Sequence, residues 1–201
     1  MLAVGTIGAQ GKEILRIEQA AKLAFPGAKV ERKTVYLTKD QRKSIGKLAG
    51  EKFARGIVFP YVATKQGKLV GTAYVDAHRV RTKFEALMIV VTPAGKVGRV
   101  EVLAFREPTS YLPPKAWYRH LDGRQLDKNL RVRSAIKGVT GATLTAKATA
   151  KALRRTLALH RVLNPSLQKA PKKPAPPVKN RLGDKKSPPP GPKTTPPKPR
   201  K

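Results

Sequence analysis

Four strand-like segments follow one another in the middle of the chain, and short turns separate them. They span residues 57–63, 69–75, 86–92 and 97–105. Segments rich in β-branched and aromatic residues with such short links pair most readily as an antiparallel meander. The third segment is apolar throughout, which predicts a central strand. Pro60 removes a backbone donor from the first segment, which predicts an edge strand.

Helical patterns lie on both sides of these strands. Residues 12–24 carry apolar side chains at helical spacing, and Phe25-Pro26-Gly27 ends the pattern. Thr38 and Gln41 fit a capping box at the start of a second helix that ends at Gly50. A short helix over 115–121 and an alanine-rich helix over 144–160 follow the strands. The sequence therefore predicts an α+β domain: an antiparallel meander flanked by N-terminal and C-terminal helices.

Proline and charge divide the chain into segments. Twelve of the 18 prolines lie from Pro165 onward, in a stretch without aromatic residues, so 164–201 is predicted to be a disordered basic Pro/Lys-rich tail. Residues 1–12 are predicted to be a flexible N-terminus or the remnant of a signal peptide, which leaves 13–163 as the domain. The net charge is +31, and +21 remains without residues 165–201. Such a charge favours anionic partners.

Several kinds of site are excluded or disfavoured by residue type. The chain has no cysteine, which excludes disulfides, thiolate zinc sites, iron–sulfur ligation and a cysteine nucleophile. Its three histidines have no metal-ligand spacing, so no metal site is predicted. No run approaches the roughly 18 apolar residues of a membrane span.

A turn of small residues leads directly into the last helix. Gly138 and Gly141 let its backbone bend and let a ligand approach closely. Thr140 or Thr143 is expected to cap the helix, whose free N–H groups and dipole form an anion site. The Gly-Lys-Ser/Thr ending of a Walker loop is missing. Spacing alone favours a plain helix cap over a phosphate site.

The segment Thr140-Gly141-Ala142-Thr143-Leu144-Thr145 resembles the Ser/Thr-Gly-Ala-Thr-x-Thr motif of the FMN-binding domain family. That family includes flavin-carrying subunits of sodium-pumping quinone reductases and of ferredoxin-linked electron transport complexes. Residues 58–71 resemble the family's opening hairpin, and 98–108 resemble the strand before its Glu-containing loop. Residues 76–82 and 111–114 resemble a small soluble bacterial branch. The resemblance covers about residues 57–163.

The resemblance implies an FMN-binding flavoprotein domain in electron transport, a redox carrier more than a substrate-converting enzyme. Thr143 matches the threonine to which a flavin transferase joins FMN by a phosphoester. The resemblance further implies an unidentified redox partner, either membrane-bound or not, and a location in the bacterial cell envelope, periplasmic or membrane-associated. The predicted cofactor-binding residues are Thr140, Gly141, Ala142, Thr143, Leu144, Thr145, Glu107, His78, Arg79 and Arg81.

The residues outside the motif have more than one interpretation. Residues 76–81 join two predicted strands, and His78, Arg79 and Arg81 either supply cations to a phosphate or form a solvated basic loop. Glu107 either bonds a flavin or shapes its loop, and the loop role is favoured. Residues 117 and 118 are expected to pack in the core or at its rim, and residues 120 and 160 to lie on the surface.

Two alternative functions stay open. Lys137 stands where the family usually has an acid, and Ala135 is also uncharged, so a flavin-free scaffold of the same fold is one alternative. Ala146, where a serine is common, is a milder departure. The other is a basic protein that binds nucleic acid or another polyanion, with the tail as a further contact. No recognised nucleic-acid module is visible in the sequence.

Overall fold

The structure, a computed structural model, describes residues 8–168, with side chains from residue 16 to residue 167. Within that range the α-helices are α1 (Gly8–Ala24), α2 (Lys39–Ala49), α3 (Lys115–Arg119) and α4 (Thr143–Leu163). The strands are β1 (Lys29–Arg32), β2 (Val35–Tyr36), β3 (Ile57–Val58), β4 (Tyr61–Lys65), β5 (Lys68–Arg79), β6 (Phe84–Val91) and β7 (Val97–Phe105). Thr109–Tyr111 and Pro165–Gln168 form 3-10 turns.

The predicted antiparallel meander is confirmed, and one strand is added to it. The main sheet has the order β1-β4-β5-β6-β7, and all its pairs are antiparallel. Because β1 pairs with β4, the prediction of an edge strand at Pro60 was wrong. Pro60 lies between β3 and β4, and its carbonyl accepts the Lys33 N–H at 2.8 Å, so its missing donor breaks no ladder bond. β3 instead pairs with β2 in a separate ribbon.

The sheet is covered on both faces, which explains the apolar run in β6. Alternate β6 residues Leu87, Ile89 and Val91 pack with α2, α3 and α4 in the larger core. Met88 and Val90 point the other way and join the smaller core under α1. The chain is thus an α+β fold in three layers: α1, the sheet, and the other helices.

Local capping holds α2 in place. Thr38 accepts the Gln41 N–H at 3.1 Å, and the Gln41 side chain accepts the Thr38 N–H at 2.9 Å, so the predicted capping box is confirmed. Gly50 ends the helix with φ 79°, a left-handed conformation that glycine adopts without strain. The buried Arg154 of α4 donates to the carbonyls of Ala49 and Leu48 at 2.8 and 3.2 Å. Its cation therefore stabilises the carbonyl end of α2.

The described elements extend past several predicted boundaries. α1 begins at Gly8 and so includes residues 8–12, which were expected to be flexible. α4 runs to Leu163, and Pro165–Gln168 continues as a turn. Residues 1–7 and 169–201, which contain the rest of the predicted N-terminal segment and the predicted basic tail, lie outside the described residues.

His160 was expected on the surface, and that expectation was wrong. It lies on the buried face of α4 with 1% of its surface exposed, and its Nδ1 is 2.9 Å from the Tyr74 hydroxyl. Burial lowers the pKa of His160 from 6.5 to about 4. The ring is therefore neutral in the folded protein at pH 7 and shares a hydrogen bond with the Tyr74 hydroxyl.

This burial predicts a loss of stability in mild acid. The folded pKa of His160 is below its unfolded value, so protons bind the unfolded chain first as the pH falls from about 6.5 toward about 4. Between pH 7 and pH 5 this costs about 1–2 kcal/mol. Urea unfolding at pH 7 and pH 5 measures this loss in the free energy of unfolding. In His160→Gln the loss between the two pH values should be smaller by about 1–2 kcal/mol. Equal losses in both proteins would contradict the prediction.

Candidate anion-binding cleft

A cleft of about 180 Å³ lies where three distant parts of the chain meet. One wall is the end of the β5–β6 hairpin, with Val80 and Arg81, and another is Tyr111 of the 3-10 turn. The third wall is the start of α4, residues 141–145. Five of the predicted cofactor-binding residues, Gly141, Ala142, Thr143, Leu144 and Thr145, therefore lie together with Arg81.

The N-terminus of α4 carries no side-chain cap. Ala142 is the N-cap residue and makes no side-chain cap bond, so the expectation that Thr140 or Thr143 caps the helix was wrong. Thr143 is the first helical residue, and its hydroxyl donates to the Val139 carbonyl at 3.1 Å. The first turn holds no acidic residue. The positive end of the helix dipole thus meets the cleft without a compensating carboxylate.

Glycine at position 141 is required by the backbone of the turn. Gly141 has φ 80°, in the left-handed region that costs other residues strain. A Cβ built there meets no atom within 4 Å, so conformation and not crowding sets the requirement. The Ala142 N–H donates to the Val139 carbonyl at 3.1 Å and closes the turn before the helix.

Glu107 shapes the hairpin wall of the cleft. Its Oε1 accepts the backbone N–H groups of Lys83, Thr82 and Arg81 at 2.7, 2.8 and 3.2 Å. The bond from Lys83 is the largest cause that lowers the pKa of Glu107 below 4.5. These bonds agree with the loop-shaping interpretation of Glu107. They leave the Arg81 guanidinium 5.3 Å above the ring of Tyr111 at the cleft.

Two further hydrogen bonds fix the segments that carry the motif. The Thr145 hydroxyl is buried and donates to the Tyr111 carbonyl at 2.6 Å. The indole N–H of Trp117 donates to the Lys137 carbonyl at 2.9 Å. Thr145 therefore positions the Tyr111 wall, and α3 positions the chain that leads into the motif. Trp117 and Tyr118 are both buried, which confirms their expected packing role.

His78 is not part of a basic loop. β5 extends to Arg79, so residues 76–79 continue a strand and the expected connecting loop shrinks to residues 80–83. The His78 ring lies between two carboxylates, with Nδ1 2.9 Å from Asp76 and Nε2 3.0 Å from Glu85. Burial lowers the pKa of His78, but these two hydrogen bonds outweigh burial and raise it above 6.5. A charged ring donates to both partners, which explains why the strand accommodates these polar residues.

The remaining predicted residues lie outside the cleft. Arg79 donates to the Thr82 carbonyl at 3.1 Å, and its guanidinium lies 5.0 Å over the Phe84 ring. Thr140 is exposed. Sequence reasoning placed neither Val80 nor Tyr111 among the site residues, because a valine and a tyrosine beside loops carry no pattern of their own.

A buried ionic network joins the sheet to α4. Arg155 donates through Nε and one terminal nitrogen to both oxygens of Asp76, at 3.1 and 2.7 Å, and through the other to Glu51 at 2.5 Å. Burial raises the pKa of Asp76, but bonds from His78 and Arg155 outweigh burial and lower it to about 2. Arg155 thus binds both oxygens of Asp76 and also pairs with Glu51. These contacts hold α4 against the sheet.

No protein-family model matches this chain, and no curated protein matches it significantly. Across residues 8–168, no group of three or more His, Asp or Glu side chains is arranged to hold a metal ion. None of the helices described above combines the length and apolar character needed to cross a membrane.

The conformation at Gly141 predicts the effect of a single methyl group. Gly141→Ala should lower the free energy of unfolding by about 1–2 kcal/mol, because alanine must then occupy a left-handed conformation. Gly138→Ala is the matched control: Gly138 does not have a positive φ, and its built Cβ meets the nearest atom at an ordinary 3.7 Å. Denaturant unfolding of both variants checks this. A Gly138→Ala variant as unstable as Gly141→Ala would contradict it.

Proposed function

We propose that this domain is an FMN-binding electron carrier whose cleft holds the flavin phosphate at Thr143. The observation that carries the proposal is the place of Thr143. It lines a cleft at an uncapped helix N-terminus, and Arg81 lines the same cleft. Both the helix dipole and the arginine favour an anionic phosphate there. The Thr-Gly-Ala-Thr resemblance supplies the identity of the phosphate-bearing ligand.

The size of the cleft bears on which part of FMN it can hold. About 180 Å³ is smaller than the roughly 300–1,000 Å³ of pockets that enclose a drug-sized ligand. The phosphate and the start of the ribityl chain therefore belong in the cleft, and the ring system belongs at its mouth. Leu144, 48% exposed beside Thr143, offers an apolar surface to that ring. The open mouth leaves the ring accessible to a redox partner.

The chain's own residues have separate roles in this proposal. Thr143 is the attachment point, and Arg81 balances the phosphate charge. Glu107 and Thr145 act indirectly. Glu107 fixes the backbone of Arg81, and Thr145 fixes Tyr111. When bound, FMN would supply the electron-transfer chemistry. In this proposal a flavin transferase attaches the FMN, and the domain works in the bacterial cell envelope.

Attachment at Thr143 is tested by intact mass. The full chain is co-expressed with a flavin transferase, and a phosphoester adds the mass of one FMN less one water. Thr143→Ala should carry the bare mass. Thr34→Ala is the control, because Thr34 is an exposed threonine outside both the motif and the cleft, and it should load like the wild type. Ultraviolet fluorescence of the denatured chain on a gel checks the same result.

Other results of this experiment discriminate between the functions. If the wild type has the bare mass but releases flavin on denaturation, the flavin is bound reversibly and not covalently. Arg81→Gln should then weaken this binding. A bare mass without released flavin contradicts the proposal and favours a flavin-free scaffold. Lys137→Glu restores the acid that the family motif usually has. Loading that appears only in this variant identifies Lys137 as the residue that blocks the transferase.

Binding to a polyanion is the second candidate, and the charge favours it. Residues 1–164 carry +21 and residues 165–201 carry +10. If nucleic acid is the partner, the affinity for duplex DNA should fall as the salt concentration rises. The logarithm of the binding constant should fall with the logarithm of the salt concentration, with a slope of about −0.9 per phosphate contact. A fluorescence-anisotropy titration measures the slope. Loss of all binding at near-physiological salt would leave only weak general attraction.

A further inference from the structure

A second and larger cavity lies beside the other half of α4. It measures about 330 Å³ and opens between α1, strands β3 to β5 and α4. The α4 residues that line it are Arg155, Thr156 and Leu159, whereas the cleft uses residues 143–145. Twelve residues of helix separate Thr143 from Arg155, which is about 18 Å along the axis. The cavity is therefore distinct from the cleft.

The cavity has apolar walls and an aromatic mouth. Phe53, Val58 and Tyr74 are buried core residues that form part of its lining. Ile57 and Phe59 also line it but are 45% and 44% exposed. An apolar cavity with a few convergent polar groups is the usual form of a small-molecule site.

Two arginines supply the polar groups of the lining. The Arg32 guanidinium lies 4.1 Å from the centroid of the Phe59 ring, and among the described residues it forms no ion pair. One terminal nitrogen of Arg55 donates to the Ala77 carbonyl at 3.1 Å and lies 3.6 Å from the Asp76 carboxylate. These two contacts use only that nitrogen of the guanidinium. Each guanidinium has five N–H donors, so both keep donors for an incoming anion.

The third arginine of the cavity is already satisfied. Arg155 is held by Asp76 and Glu51 through all three nitrogens of its guanidinium. The ionised Asp76, whose pKa is lowered to about 2, also lines the cavity and repels an anionic group. One nitrogen of Arg55 lies 3.6 Å from this carboxylate, so an anionic head is directed toward Arg32 and toward the nitrogens of Arg55 that Asp76 does not contact.

We propose that this cavity binds an amphipathic anion, a small molecule with an apolar or aromatic body and one carboxylate, sulfonate or phosphate group. The body packs against the apolar walls at Val58 and Leu159, and the head pairs with Arg55 and Arg32. This site is independent of the flavin proposal, because it shares no residue with the cleft.

The test uses the full chain and the fluorescent probe anilinonaphthalene sulfonate, which combines an aromatic body with one sulfonate. Titrations at about 0.15 M salt limit nonspecific attraction to the basic surface. Arg55→Gln and Arg32→Gln should each weaken probe binding roughly tenfold, the loss expected for a charge-assisted hydrogen bond. Phe59→Ala should weaken binding and reduce the fluorescence of the bound probe. Decanoate should displace the probe.

The chain offers a matched control for these variants. Arg79 lies over the exposed Phe84 ring as Arg32 lies over Phe59, but neither Arg79 nor Phe84 lines the cavity. Arg79→Gln and Phe84→Ala should therefore bind the probe like the wild type. Equal losses in both pairs would show adsorption to the basic surface and overturn the proposal. Displacement of the probe by FMN would support an anion site in this cavity, and it would overturn the separate proposal that the cleft at Thr143 holds the flavin phosphate.

Discussion

The fork between Arg155 and Asp76 sets the geometry on which both candidate sites depend. A buried ion pair is tolerated only in one good geometry, so this contact fixes how far α4 lies along β5. From Asp76 the strand continues to Arg79 and the hairpin turn at Arg81, and from Arg155 back to Thr143 the helix covers about 18 Å. The hairpin end and the helix start both line the cleft.

The neighbouring Arg154 projects in a different direction from the same helix. Its guanidinium binds the last carbonyls of α2 and the Asp127 carbonyl at 2.7 Å. Consecutive arginines thus tie α4 to the sheet through one side chain and to α2 through the other. The formal charge of +31 counts both arginines, although specific partners hold them in the interior. They therefore contribute little to the positive charge of the surface that attracts anions.

Local signals predicted the parts of the fold that depend on neighbouring residues. The capping box at Thr38, the meander and the full extent of β7 could be read from the sequence because short-range chemistry decides them. His78 and His160 could not: the environment of His78 depends on the exact hairpin register that places Glu85 opposite it, and that of His160 depends on Tyr74, 86 positions earlier in the chain. The motif identified one wall of the cleft. The Tyr111 wall depends on a hydrogen bond from Thr145 across 34 positions, which no local pattern records.

The three walls of the cleft come from chain segments near residues 80, 110 and 143, so the cleft exists only after long-range contacts have formed. Contacts of this kind form late in folding, because loop closure must precede them. A partial chain that lacks α4 lacks one wall of the cleft and the Thr145 hydrogen bond that positions Tyr111, and so has no binding site. A ligand that requires all three walls binds the native domain and not the unfolded chain, and its occupancy therefore reports how much of the protein has completed folding.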